Sequence, residues 1–172
     1  NTMAQIEEQK YKILETFEDV QIREYEPVIY ASVTTVNNSS SLFNILAGYI
    51  FGANEDKQKI AMTAPVHMQA DKSNDNQSTT MKFVMPSKYS LDELSKPTDP
   101  RIVMEKSEVK RFAAISYSGY NNDSKFNLYS LKLREILDNN KISYINKPIY
   151  LGYDAPYKFW NRKNEVIFEI ID

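Results

Sequence analysis

The order of apolar patterns repeats along the chain, and this repeat limits the fold more than any other feature of the sequence. A strand-like alternation is followed by a helical spacing and two more alternations, and the same order then recurs. The segments, in chain order, are strand-like 11–36 with a break at Pro27, helical 42–51, strand-like 59–69 and 81–85, strand-like 111–120, helical 126–137, and strand-like 149–153 and 165–171. The order strand-helix-strand-strand therefore occurs twice, and this repeat predicts an α+β fold.

Two helices cannot cover both faces of an eight-strand array, so we expect the sheet to curl into an antiparallel, barrel-like form with the helices outside or across it. Residues 95–100 contain two prolines and predict a short connection between halves of about 11–94 and 101–172 within one domain. Residues 1–10 are interpreted as an N-terminal tail. The chain starts with Asn1 rather than Met, so we expect a trimmed or processed N-terminus.

The first helical segment is apolar on more than one side. The residues of its core stripe, at helical spacing, are Leu42, Ile45, Leu46, Tyr49 and Ile50. The residues of a second apolar face are Phe43, Ala47, Ile50 and Phe51. Residues 37–41 are rich in N-cap residues, and Gly52 is typical of a C-cap. A helix that is apolar almost all round is buried or binds a ligand or partner, so this helix is a candidate binding element.

Composition excludes several classes of protein. The chain has 172 residues, no Cys, one His and four Gly, which excludes disulfide scaffolds, Cys-zinc sites, hydrolase triads and phosphate-binding glycine loops. Its 21 Lys and Arg against 23 Asp and Glu give a net charge of −2, which argues against nucleic acid as a partner. No apolar stretch approaches the ~18 residues of a transmembrane helix. Nothing in the charge pattern requires an oligomer, so we expect a monomer.

Hardly any titratable side chains are arranged as a catalytic site would require. The pairs Glu24/Glu26 and Glu165/Glu169 each fall on one face of a predicted strand, but exposed strand faces carry such pairs routinely. His67 lies opposite the apolar face of its strand and can bind iron through a neutral ring nitrogen. A lone strand histidine is more often a surface or hydrogen-bonded residue.

Two loops differ in character. Residues 71–80 are polar or small and predict a long solvated hairpin loop. The loop 155–163 instead carries three aromatic and three cationic side chains between two strands. Such a loop is typical either of a binding surface or of a lid over its own core. Flat apolar ligands with carboxylates suit it, because Lys158, Arg162 or Lys163 can meet the acids.

Five stretches of the chain, taken together and in order, resemble the SOUL heme-binding family over about residues 11–170. The matching stretches are Ile22 to Pro27, Leu46 to Gly52 with Asn54, Lys59 to Val66, Phe83 to Ser87 with Tyr89, and Asn161 to Val166. The resemblance implies a distorted antiparallel eight-stranded β-barrel of two strand-helix-strand-strand repeats, flanked by two helices. This fold is similar to the GyrI-like small-molecule-binding domains.

The resemblance also implies heme as the ligand, in a hydrophobic groove beside the first helix and the loop before the last strand. The residues placed there are Phe43, Ala47, Ile50, Tyr157, Phe159, Trp160 and Arg162. Some animal members carry a histidine, proposed as a heme ligand, where this chain has Glu24. The alternative iron ligands are His67, Tyr49 and Met62, and spacing favours none of them.

Three functions follow as hypotheses. The first is a non-catalytic carrier or buffer of heme or a related tetrapyrrole. The second is a GyrI-like binding module, or weak hydrolase, for another small hydrophobic or cationic molecule, with Glu24 or Glu165 as the charged contact. A buried glutamate lined by tyrosines would support it. The third is a protein-interaction module whose aromatic loop docks a partner and which binds no ligand.

Overall fold

The computed structural model describes residues 5–36, 42–72, 77–155 and 158–172. The predicted N-cap run 37–41 and the predicted site residue Tyr157 lie outside the described residues. In chain order the described strands are β1 (Glu7–Glu8), β2 (Tyr11–Phe17), β3 (Val20–Tyr25), β4 (Ile29–Val36), β5 (Thr63–Ala64), β6 (Val66–Asp71), β7 (Ser78–Val84), β8 (Val103–Lys106), β9 (Lys110–Ser118), β10 (Ile149–Gly152) and β11 (Lys163–Glu169). The helices are α1 (Leu42–Ile50) and α2 (Asp123–Asn139), and a 3₁₀ turn spans Leu91–Glu93.

The chain forms two compact units, of which unit 1 comprises residues 1–9 and 27–108. Its main sheet is antiparallel in the order β6-β7-β4-β8, and α1 packs against β4 and β7. Alternate residues of these strands, such as Ala31, Val33 and Phe83, point toward α1 and form the core of the unit. The intervening residues lie on the opposite face of the sheet, which carries His67.

Unit 2 comprises residues 10–26 and 109–172. Its sheet is antiparallel in the order β2-β3-β9-β11-β10, and α2 packs against β9 and β11. Ile22, Ile115 and Phe168 belong to the core that faces α2, together with Leu133 of the helix. The opposite face of the same strands carries a buried polar cluster, described below.

Both units contain the strand-helix-strand-strand order that the sequence predicts. In unit 1 it is β4-α1-β6-β7, and in unit 2 it is β9-α2-β10-β11. The predicted C-terminal end of the first helix is also found, since Gly52 follows α1 with φ +116°. The Asn122 side chain caps the start of α2 by accepting from the Lys125 backbone N–H at 2.8 Å. The predicted α+β class with antiparallel strands and two helices is confirmed.

Two predicted boundaries are wrong. The strand expected over 59–69 starts only at Thr63 and is interrupted at Pro65, because proline has no N–H to donate to a ladder. The hairpin loop expected over 71–80 is shorter, since β6 runs to Asp71 and β7 starts at Ser78. Thr79 and Thr80 belong to β7 and pair with β4, although the sequence pattern predicts a loop there. The hydroxyls of Thr34 and Thr80 lie 2.7 Å apart across the two strands.

Residues before and between the predicted elements also pack. β1 pairs in parallel with β5. Gln9 is buried in unit 1, and its backbone N–H donates to the Ala64 carbonyl. The connection 95–100 lies inside unit 1, and the Ser95 carbonyl accepts a hydrogen bond from the Tyr49 hydroxyl at 2.7 Å. The boundary between the units falls after Glu108.

Asn164 has a structural role in unit 2. Its side-chain amide donates to the carbonyls of Tyr117 and Gly119, and its side-chain oxygen accepts from the Tyr150 hydroxyl at 2.6 Å. Gly119 has φ +82°, a left-handed conformation that favours glycine. Asn164 therefore fixes the turn that follows β9.

Candidate functional site

An open cleft of about 560 Å³ lies beside α1 in unit 1. The residues that line it are Asn44, Ile45, Gly48, Tyr49, Ala53, Thr98, Asp99, Pro100, Arg101 and Ile102. One wall is the side of α1, and the other is the segment 98–102. Apolar side chains provide most of the surface, with polar groups at the rim. The volume is in the range of small-molecule sites, which is about 300–1,000 Å³.

Gly48 forms the open part of the helix wall. A Cβ built on Gly48 would meet no atom within 4 Å, outside the backbone of its own helix. Glycine in a helix interior is unfavourable by about 0.5–1 kcal/mol relative to alanine, so it usually has a packing or functional reason. Packing against the protein gives no reason for glycine here, because the space above residue 48 is empty.

An ion pair lies at the rim of the cleft. The Asp99 carboxylate accepts from Arg101 Nε at 3.0 Å and from Arg101 Nη2 at 2.7 Å. These hydrogen bonds lower the pKa of Asp99 to about 2. The guanidinium is exposed, so it can exchange Asp99 for the carboxylate of a ligand at small cost.

The predicted α1 residues Phe43, Ala47 and Ile50 share one face of the helix but differ in exposure, and none of them lines the cleft. Phe43 is exposed at one edge, and its ring meets Phe83 edge-on at 5.4 Å between centroids. Phe51, one of the second-face residues, is 71% exposed. Ala47 and Ile50 are buried in the core of unit 1. A change at Ile50 would therefore alter folding and ligand binding together.

His67 is buried on the face of unit 1 opposite α1. Its Nε2 lies 2.7 Å from the Gln9 side-chain oxygen, and its ring packs edge-on against Tyr30. Burial, together with the smaller effect of the nearby Lys82 ammonium, lowers the pKa of His67 to about 3. The imidazole is therefore neutral, and one of its two ring nitrogens already has a partner.

The other two alternative iron ligands are not free in the cleft either. Tyr49 lines the cleft, but its hydroxyl donates to the Ser95 carbonyl. Met62 is partly buried against the core of unit 1. In the described ranges no three His, Cys, Asp or Glu side chains cluster as a metal site would require.

Neither described helix has the length and apolarity needed to cross a bilayer.

The aromatic loop of unit 2 is braced from within. The Asp154 carboxylate accepts from the Lys158 ammonium and from the Lys163 amide, while Arg162 donates to the carbonyls of Ala155 and Lys158. The bracing leaves two rings in solvent. Phe159 is 75% exposed and Trp160 is 58% exposed, and their rings meet edge-on at 4.9 Å.

Arg162 takes part in this bracing rather than pointing into solvent as a free cation. Its guanidinium also lies over the Tyr120 ring, 4.2 Å from the ring centroid. Of the predicted loop residues, the structure therefore presents Phe159 and Trp160 at the surface and uses Arg162 to hold the loop.

Unit 2 also contains a buried ion pair that the sequence pattern does not predict. Arg23 of β3 and Glu165 of β11 form a two-pronged pair, with N–O distances of 2.9 and 2.5 Å. Glu165 is completely buried and also accepts from the hydroxyls of Tyr153 and Ser116, at 2.6 and 2.7 Å. Burial alone would raise the pKa of Glu165, but Arg23 and the two hydroxyls hold it below its usual value. Glu165 is therefore ionised.

Glu24 lies in a different environment. It is half-buried in unit 2, and its carboxylate pairs with Arg111 at 3.3 Å. The position that carries a histidine in some family members is thus occupied by part of a surface ion pair.

Comparison with known proteins agrees with the resemblance seen in the motifs. The family model described as "SOUL heme-binding protein" matches residues 6–169. Human heme-binding protein 2 is 30% identical over 155 residues, which cover 85% of this chain and 75% of that protein.

Solved structures share the fold at low identity. The C-terminal domain of EcmrR has a TM-score of 0.65 at 14% identity, covering 94% of this chain and 98% of that one. SAV2435 bound to tetraphenylphosphonium has a TM-score of 0.54 at 7% identity, covering 90% and 94%. Because the family model spans nearly the whole chain, the chain belongs to the SOUL heme-binding protein family.

Proposed function

We propose that the chain is a non-catalytic carrier or buffer of heme or a related tetrapyrrole, and that the cleft beside α1 takes the macrocycle. Membership of the SOUL family and the likeness to human heme-binding protein 2 support the ligand class. The observation that carries the proposal is the empty space above Gly48, in an apolar cleft of suitable volume.

The chemistry of the cleft suits a flat apolar molecule with acidic substituents. Ile45, Ala53 and Pro100 offer apolar surface to a ring face, and Arg101 can pair with a carboxylate in a two-pronged geometry. A bound heme would supply the iron centre. The residues of the cleft bind and orient the macrocycle.

We expect Gly48→Phe to lower hemin affinity at least tenfold. The new ring fills the cleft without meeting other protein atoms at its Cβ, so binding is blocked while the fold is kept. The measurement is a hemin titration followed by Soret absorbance, with circular dichroism to check folding.

The matched control for this experiment is Gly48→Ala. Alanine should leave the affinity nearly unchanged and stabilise the helix by about 0.5–1 kcal/mol. His67→Gln should also bind hemin like the parent chain, since the His67 ring is buried beside Gln9. Unchanged affinity in Gly48→Phe would contradict the cleft as the site, and loss of the Soret shift in His67→Gln would identify the histidine as the ligand.

We also propose the exposed rings of the aromatic loop as a tetrapyrrole contact of unit 2. Phe159→Ser should then weaken hemin binding about five- to thirtyfold, because it removes about 1–2 kcal/mol of apolar contact. Trp160 is the single tryptophan, so quenching of its fluorescence by hemin reports on the same loop.

The control for this experiment is Leu128→Ser, which changes another exposed apolar residue of unit 2 and should have no effect on hemin binding. Equal affinity in both variants would favour the third hypothesis, a loop that docks a protein partner.

A second candidate function is the binding of another small hydrophobic or cationic molecule, with Glu165 as the charged contact. Two observations support this candidate. Glu165 is buried and accepts a hydrogen bond from Tyr153, and the structure of SAV2435 bound to tetraphenylphosphonium shares the fold. Arg23 already neutralises the carboxylate, however, and a hydrolytic role would require Glu165 to reach water. Heme in the cleft of unit 1 is therefore the better-supported function.

A further inference from the structure

The Arg23 guanidinium in unit 2 sits in a cage of the kind that binds free cations. We define the cage by the groups that touch the guanidinium: Glu165, Tyr25, Gln21 and Tyr11. The carboxylate of Glu165 receives two N–H donors, and the Tyr25 hydroxyl accepts a third at 3.0 Å. The Gln21 side-chain oxygen accepts from Nε at 2.9 Å.

An aromatic face completes the cage. The ring of Tyr11 lies against the guanidinium, with its centroid 4.1 Å from Arg23 Cζ. A carboxylate combined with an aromatic face is the usual chemistry of cation recognition. Every group of the cage comes from unit 2. The four hydrogen bonds from the three guanidinium nitrogens to oxygen acceptors match a planar fork rather than a compact ammonium.

We infer that this cage is a guanidinium-type cation site that the chain fills with its own side chain. Arg23 is then the residue that decides specificity. With it in place Glu165 takes no cation from solution, and without it the cage accepts a planar cation of the same shape. This inference gives the reason why the parent chain does not use Glu165 as the second candidate function would require. It does not depend on hemin binding, so a failed hemin titration leaves it intact.

The cage lies one side chain away from solvent. Ser116, which donates its hydroxyl to Glu165 Oε2 at 2.7 Å, is itself exposed. A small cation can therefore reach the carboxylate once the Arg23 side chain is removed. A ligand also gains from the existing order of the cage, because Tyr153 and Ser116 keep the carboxylate in position.

The test is the melting temperature of Arg23→Ala in millimolar ethylguanidinium. Ethylguanidinium replaces both the lost head group and part of the lost stem, and ethylammonium carries the same charge and stem without the planar fork. We expect a saturable rise of roughly 3–6 °C at ethylguanidinium tenfold above its dissociation constant. Ethylammonium should give a clearly smaller rise, and the parent chain should respond to neither.

A double variant separates the site from a general effect of added salt. Arg23→Ala/Glu165→Gln keeps the cage geometry but removes its charge, so its response to ethylguanidinium should be lost. An equal response to both cations, or no response in a folded Arg23→Ala chain, overturns the inference. A variant that stays unfolded at every ethylguanidinium concentration also overturns it, because a ligand that restores the ion pair should restore folding.

Discussion

Arg23→Met is expected to lower the free energy of unfolding by about 3–5 kcal/mol, the usual cost of removing one partner from a buried ion pair. The variant leaves the Glu165 carboxylate charged and completely buried, with only the Tyr153 and Ser116 hydroxyls as donors. Methionine fills most of the space of the arginine stem, so lost charge compensation dominates over lost packing. Urea unfolding followed by circular dichroism measures the difference.

The double variant Arg23→Met/Glu165→Gln should recover most of this loss. Glutamine carries no charge, and its side-chain oxygen still accepts from the two hydroxyls. Lys132→Met breaks an exposed pair with Asp19 and should cost less than about 1 kcal/mol. Additive losses in the double variant would show that the two side chains act independently, against the structure.

Elements with strong local patterns could be predicted from the sequence. The α1 stripe from Leu42 to Ile50 repeats at helical spacing, and Gly52 ends it where a left-handed residue is needed. The strand around 63–71 was misplaced because alternation alone does not show that Pro65 interrupts the ladder. The short pair of β1 and β5 has no periodic signal, since each strand has only two residues.

The sites were harder to predict because they depend on long-range pairing. Arg23 and Glu165 are 142 positions apart, and they meet only because β3 and β11 both pair with β9. The one local signal was a glutamate at the start of the apolar run 166–168. The cleft gave a clearer signal, since Gly48 interrupts an otherwise strong helical pattern. Phe43 is exposed and Ile50 is buried, although both lie on the same face of α1. Helical spacing alone does not predict this difference.

Lowering the pH from 7 to 5 should destabilise the protein by about 2 kcal/mol through His67 alone. The pKa of His67 is about 3 in the folded chain against an ordinary value of 6.5, because burial and Lys82 disfavour the charged ring. The unfolded chain therefore binds the proton first, and stability falls by about 1.4 kcal/mol per pH unit below 6.5. The stabilisation is fully present above pH 6.5 and is lost progressively toward pH 3.

The groups around His67 support this assignment. Gln9 from the N-terminal segment and Tyr30 from β4 are uncharged, and Lys82 from β7 is held by Glu105 at 2.7 Å. His67→Gln can keep the hydrogen bond to Gln9 and cannot titrate, so its urea midpoint should change much less between pH 7 and 5. Because the chain has one histidine, its ring proton signals in NMR should also stay at their neutral positions at pH 5. An equal loss of stability in both chains would mean that His67 is not the group that the unfolded chain protonates first.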